Sequence, residues 1–150
     1  MEITKTKVVI FFTKSLESSY KNYIKTNICD FDSKYIFNYF EEKNAVQDYL
    51  NIAKKIEINK INRAIIIDEY GSLPFMIMAK NKRNIVAQIS DHHSAKMTMQ
   101  HNNSNVLALS YKCISKENMI SIINIYLNAQ FEGGRHMIRI NMLDILLEDN

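Results

Sequence analysis

Three stretches of this 150-residue chain carry side chains able to do chemistry. The first is Phe131–Arg139, FEGGRHMIR, where Gly133 and Gly134 are followed at once by Arg135, His136 and Arg139. A helix starting just after the glycines puts Arg135 and Arg139 on one face, one turn apart. Two guanidiniums beside the outward N–H groups of a helix start suit a dianionic phosphate. The same residues also fit a glycine turn leading into a surface helix with solvated arginines. The second stretch is His101–Asn105, HNNSN. A histidine there can act as a general acid near neutral pH, and the amides of Asn102 and Asn103 can hold sugar hydroxyls. Histidine and asparagine are equally favoured at a helix C-terminus for structural reasons alone. The third is Asp68–Gly71, DEYG, where a carboxylate ends an apolar run. Asp68 can serve as a base, as a ligand contact, or as a cap for the next helix.

Other chemistries find less to work with. His92 and His93 invite a metal reading with His101, but one helix does not bring residues 93 and 101 together without a third ligand. They read as polar residues of a first helical turn, and no metal site is expected. The three glycines cannot supply a Gly-x-Gly-x-x-Gly or Walker-type loop, so no nucleotide cofactor is expected either. The two cysteines, Cys29 and Cys113, have no metal or redox spacing and fit a reduced, cytoplasmic setting. The net charge of +3 comes from scattered lysines, not from the concentrated basic stripe that nucleic acid requires. Apolar runs are strand-sized, and the opening MEITKTK lacks the core of a signal peptide, so neither membrane insertion nor export is expected.

The elements that must position these residues alternate. Lys7–Phe12, Tyr35–Phe40, Arg63–Asp68, Ile85–Ile89 and Val106–Leu109 read as strands rich in β-branched and aromatic residues. Between them lie helical stripes: Ser15–Asn27; the run from Asn44 to Ile56, with Asn44 and Gln47 as a capping box; and Pro74–Lys80. A further helix runs from a Ser90 or Asp91 cap through Gln100, and another follows Ser115 with Met119, Ile122, Ile123 and Tyr126 on one stripe. A last helix after the glycines carries Ile138, Met142, Ile145 and Leu146, with Met137, Ile140, Leu143 and Leu147 spread around it. So apolar a helix calls for more cover than one sheet face offers, which points to a partner subunit. Five strand–helix alternations without a linker predict a single α/β domain over residues 1–150. It would be a three-layer α/β/α sandwich on a five-stranded parallel, Rossmann-like sheet. In such sheets ligands bind beyond the carboxyl ends of the strands, here Phe12–Ser15, Asp68–Ser72, Ser90–His92 and Ser110–Lys112.

Ile67–Met76 (IDEYGSLPFM), Ser90–Asn103 (SDHHSAKMTMQHNN) and Phe131–Leu143 (FEGGRHMIRINML) together resemble the A-subunit branch of the galactose-6-phosphate isomerases. That family also contains type B ribose-5-phosphate isomerase. The resemblance covers most of Ile65–Leu143; before that only the strand–helix rhythm is shared. It implies a dimer or higher assembly with sites between subunits, and aldose–ketose isomerisation without metal or nucleotide. The substrate it implies is galactose 6-phosphate, converted to tagatose 6-phosphate in lactose catabolism. His101 matches the histidine that opens the sugar ring and Asn102 the amide beside it. Arg135 and Arg139 match the arginines that hold phosphate, with His136 between them. Isomerisation through an enediolate needs ring opening, a base at C2 and donors for the developing oxyanion.

Departures from that pattern are as informative. Type B ribose-5-phosphate isomerases end strand three in a cysteine base followed by Gly-Thr-Gly; the positions here are Asp68, Glu69, Tyr70 and Gly71. Glu69 and Tyr70 cannot copy a glycine-lined anion hole. The family's first loop reads Gly-Ser-Asp-His/Glu-Ala-Gly, against Phe11, Phe12, Thr13, Lys14, Ser15 and Leu16 here. A family arginine after strand five is Lys112, which keeps charge but not the bidentate fork. The chain thus keeps the half that opens the ring and grips phosphate, and lacks the half that moves the C2 proton. The resemblance implies that a homologous B-type subunit supplies that base. The alternative is a catalytically retired, homo-oligomeric sugar-phosphate-binding or regulatory protein. Asp68 as the base of a self-sufficient isomerase fits least, because the altered first loop leaves few donors around it.

Overall fold

The computed structural model describes residues 4–29 and 33–148; residues 1–3 of the opening segment lie outside them. The elements are β1 (Thr6–Phe12), α1 (Ser18–Asn27), β2 (Tyr35–Glu41), α2 (Ala45–Glu57), β3 (Arg63–Asp68), α3 (Ser72–Met78), β4 (Val86–Gln88), α4 (His92–Asn102), β5 (Val106–Ser110), α5 (Lys116–Asn128) and α6 (Arg135–Glu148). The five strands form one sheet in the order β2-β1-β3-β5-β4, and every neighbouring pair is parallel. This is the three-layer α/β/α architecture that the alternation predicts.

Side-chain alternation along the strands divides the core in two. Val8, Ile10 and Phe12 of β1 join Ile65, Ile67, Leu107 and Leu109 beneath α1, α4 and α5. Val9, Phe11, Ala64, Ile66 and Val106 point the other way, onto Tyr49, Ile52, Ala53 and Ile56 of α2 and Met78 of α3. The central strand β3 is buried along Ala64–Ile67, which is why RAIIID reads as a continuous apolar run.

Several boundaries shift for local reasons. Helix α1 begins at Ser18 rather than Ser15, because Leu16 N–H donates to the Thr13 carbonyl and closes a turn first. Helix α3 begins at Ser72, ahead of Pro74, since Gly71 takes a left-handed conformation (φ +80°) and starts it. Asp91 caps α4 by accepting from Ser94 N–H. That helix continues past Gln100 to Asn102, so His101 lies within its last turn and the capping role falls to Asn103. Asn103 adopts the left-handed conformation (φ 52°), its N–H bonding to the Met99 carbonyl and that of Ser104 to the Thr98 carbonyl. An asparagine tolerates that geometry where most residues do not. Among the described residues, no helix is long and apolar enough to cross a membrane.

Candidate active site

Chain direction places the candidate residues at two opposite ends of the sheet. Helix α4 runs antiparallel to the strands, so its last turn, with His101 and Asn102, arrives at their amino ends, just before Val106 opens β5. Helix α5 descends the same way, and the segment after it returns beneath α4, where Glu132 N–H donates to the Gln100 carbonyl (3.0 Å). Tyr126 of α5 donates its hydroxyl to the Ser104 carbonyl (2.6 Å), fixing the loop that follows His101. Gly133 and Gly134 then take successive left-handed conformations (φ +65° and +53°), and α6 starts at Arg135. Their reversal is what folds α6 back against α4.

The result is a compact group. The imidazoles of His101 and His136 stack with centroids 4.1 Å apart and planes 7° from parallel. The carboxylate oxygen Glu132 Oε2 lies 4.0 Å from His101 Nε2 and 3.7 Å from His136 Nε2. His136 is buried at 6% exposure, His101 is half-buried, and Arg135, Arg139, Asn102 and Asn103 are exposed. Burial pulls His136 below the ordinary histidine pKa, with positive charge on His101, Arg135 and Arg139 acting the same way and Glu132 opposing. His101 is thus the more accessible of the two rings, and His136 is the one shifted toward its neutral form. The two arginines stand in the first two turns of α6, where the N–H groups of His136, Met137 and Ile138 donate to the carbonyls of Gly133 and Gly134.

Glu132 was not among the residues that the sequence singled out. The signal available was its spacing to His136, one helical turn ahead across the glycines. Together, His101, Glu132 and His136 form a set whose ligand atoms fall within 4.8 Å of one another. A shared metal ion would have to lie in the plane of both rings. Parallel stacking turns their in-plane lone pairs side by side, so these three would bind an ion only after a ring rotates. His92 and His93 sit at the other end of α4, about 14 Å away along the helix axis, and do not join the group.

The third stretch lies elsewhere. Asp68 pairs with Ser110 at the carboxyl ends of β3 and β5, whereas Ala64 pairs with Val106 at their amino ends. The four residue steps between them span roughly 13 Å of strand. Both Asp68 oxygens are engaged: Oδ1 accepts from the buried Tyr49 hydroxyl (3.1 Å), and Oδ2 from Tyr70 N–H (3.2 Å) and Gly71 N–H (2.9 Å). Gly71 is buried, its α-carbon backed onto the Ala108 peptide. The first loop is tied shut by Thr13, whose hydroxyl donates to Glu42 Oε2 (2.5 Å), and by a Ser15–Tyr111 hydroxyl pair (2.9 Å). Lys112 is exposed at this end, its ammonium over the Tyr111 ring (5.7 Å). A cleft of about 370 Å³ lined by Ser15, Leu16, Glu17, Tyr20, Tyr111 and Lys112 remains there. Asp68, Gly71 and Lys112 therefore share one end, and His101, Asn102, Asn103, Arg135, His136 and Arg139 the other.

Comparison with known proteins agrees with this architecture. Residues 12–143 match the family model described as Ribose/Galactose Isomerase. The galactose-6-phosphate isomerase subunit LacA of Clostridium acetobutylicum is 37% identical over 134 residues, covering 88% of this chain and 91% of its own length. The subunit of the same name from Streptococcus pneumoniae is 34% identical over 125 residues, covering 81% of this chain and 89% of its own. Among solved structures, ribose-5-phosphate isomerase B of Mycoplasma genitalium, crystallised with ribulose-5-phosphate, superposes with a TM-score of 0.78 at 24% identity, covering 97% of this chain and 99% of that one. The type B ribose 5-phosphate isomerase of Trypanosoma cruzi reaches 0.82 at 17% identity, covering 97% of this chain and 98% of its own. A fold shared along almost the whole length, with a family match that includes both HNNSN and FEGGRHMIR, leaves one conclusion: the chain belongs to the ribose/galactose isomerase family.

Proposed function

We propose that this chain is one subunit of a sugar-phosphate aldose–ketose isomerase acting on galactose 6-phosphate to give tagatose 6-phosphate. Its contribution is the ring-opening and phosphate-binding half of the site, with a homologous B-type subunit supplying the base that moves the C2 proton. His101 delivers a proton to the ring oxygen, Asn102 and Asn103 hold hydroxyls, and Arg135 and Arg139 hold the phosphate with His136 between them. Phosphate binding far from the reacting carbons supplies the energy that orients C1 and C2.

The observation that carries this reading is the stacking of His101 on His136, the residue that lies between Arg135 and Arg139 at the glycine-opened start of α6. The opposite end of the sheet supports the need for a partner. Asp68 is spent on holding the β3–α3 turn, and roughly 13 Å of strand separates that turn from the end of the sheet where His101 lies. A complete site therefore joins the amino-end group of one chain to the carboxyl-end group of another. The names of the similar subunits favour galactose 6-phosphate over a pentose phosphate.

The purified chain should not turn over galactose 6-phosphate to the ketose, and mixing with a B-type subunit should restore turnover. Ketose formation by the chain alone would overturn the division of labour. The closed first loop also favours a second reading, a homo-oligomeric protein that holds a sugar phosphate without isomerising it. Tight binding with no rescue by any B-type subunit would select that one.

A further inference from the structure

Opening a cyclic hemiacetal asks less of a site than isomerisation does. A proton must reach the ring oxygen as its bond to C1 breaks, and the proton of the anomeric hydroxyl must leave as C1 becomes a carbonyl. Both oxygens are bonded to the same carbon, so acid and base have to lie a few ångströms apart. His101, Glu132 and His136 meet that requirement within a single chain, their reactive atoms all lying within 4.8 Å of one another. Glu132 and His101 are both accessible to a ligand, while His136 is packed behind them.

We propose that this chain, without any partner, interconverts the α and β anomers of a hexose 6-phosphate, with His101 as general acid and Glu132, backed by His136, as general base. The proposal rests on the reading that Arg135 and Arg139 hold the phosphate, and goes beyond it because no base at C2 is involved. The steps balance. The His101 imidazolium gives its Nε2 proton to the ring oxygen, which keeps the electron pair of the broken C1–O bond. Glu132 takes the anomeric proton, and that O–H pair becomes the second bond of the aldehyde. The aldehyde turns about the C1–C2 bond, and reclosure by the reverse steps gives either anomer, with Glu132 and His101 recovering their starting states.

The groups facing this centre are His101 from α4, Glu132 from the α5–α6 connection, and Arg135, His136 and Arg139 from α6. Burial lowers the His136 pKa, and positive charge on His101, Arg135 and Arg139 acts in the same direction. His101 is the ring that a ligand can reach, and Glu132 faces it across 4.0 Å.

The test is proton exchange spectroscopy on galactose 6-phosphate at anomeric equilibrium in deuterated buffer, with the isolated chain. Exchange between the two anomeric proton signals should rise with protein concentration, while the C2 proton is retained. His101→Gln and Glu132→Gln should each lose on the order of 100-fold of the acceleration, and Glu132→Asp should recover part of it. Galactose without phosphate should gain far less. If the phosphate ester shifts the His136 ring resonances but exchange stays at the buffer rate, or if Glu132→Gln exchanges as fast as the unaltered chain, the proposal is wrong and phosphate binding stands. If the ester neither shifts those resonances nor exchanges faster, the phosphate reading falls with it.

Discussion

Burial and three cationic neighbours act in the same direction on His136, so its titration should report what occupies the site. In the free chain its ring should titrate below the ordinary histidine value of about 6.5. A bound phosphate dianion offsets the charge of Arg135 and Arg139, so adding galactose 6-phosphate should move that midpoint up; an unchanged midpoint would place the phosphate elsewhere. The same shift has a stability sign. Because the folded pKa lies below the unfolded one, the unfolded chain holds more protons between the two values, and stability rises with pH there. Stability is therefore lost as pH falls below the ordinary histidine value, and His136→Gln should flatten that loss in thermal melts at pH 5.5 and 7.5. Arg139→Ala should weaken phosphate-bearing ligands by ~1.5–3 kcal/mol, the usual worth of a charge-assisted hydrogen bond, as read by calorimetry. In the reconstituted enzyme, His101→Ala should depress turnover of the cyclic sugar far more than that of an open-chain analogue. Equal losses would remove the ring-opening role.

The β3–α3 turn is an element whose sequence reads as chemistry and whose structure is architecture. Asp68 holds three donors, one of them the hydroxyl of Tyr49, a residue with no exposed surface. Burial, with Asp68 beside it, pushes the Tyr49 hydroxyl well above the usual tyrosine range, so it stays a donor at any physiological pH. Asp68→Ala strands that hydroxyl and should cost roughly 1–3 kcal/mol in denaturant unfolding. Asp68→Asn can still accept from the turn while its amide meets the Tyr49 oxygen, so it should cost less than Asp68→Ala. Retained turnover of Asp68→Asn with a B-type subunit would separate the structural role from a catalytic one. Gly71→Ala combines a left-handed φ with a Cβ placed 3.4 Å from the Ala108 backbone and should cost ~1–2 kcal/mol. Gly133 and Gly134 have open space around them, so there the cost is conformational alone.

Across the whole molecule, α6 is the element least covered by its own chain. His136 alone of its residues is buried, while Ile138 and Ile145 (61% each) and Leu146 (62%) stand in the open. Burying such a face is worth about 25 cal/mol per Å², which makes association the expected outcome. Sedimentation should show a dimer or larger, with or without the B-type chain, and the paired change Ile138→Asp with Leu146→Asp should reduce it to a monomer. A wild-type monomer at all concentrations would remove the requirement for a site shared between chains.

The strands, the helices and their alternation were legible in the sequence because each is fixed by a local period: continuous apolar runs for buried strands and one apolar stripe for each packed helix. The arginine pair was legible for the same reason, since one helical turn separates Arg135 from Arg139. Asp68 could be read either as a ligand or as a cap, and only its hydrogen-bond partners, set by the folded backbone, decide between the two. Glu132 was legible only through its spacing to His136, because the rest of its meaning depends on His101, which lies far from it in sequence and meets it only where α4 and the α5–α6 connection cross. The sheet direction likewise moved the histidine–arginine group away from the strand ends where such sheets ordinarily bind ligands. Local periodicity thus determined the elements and their class. Which end of the sheet each side chain reaches, and what it touches there, required the long-range packing that no local pattern encodes.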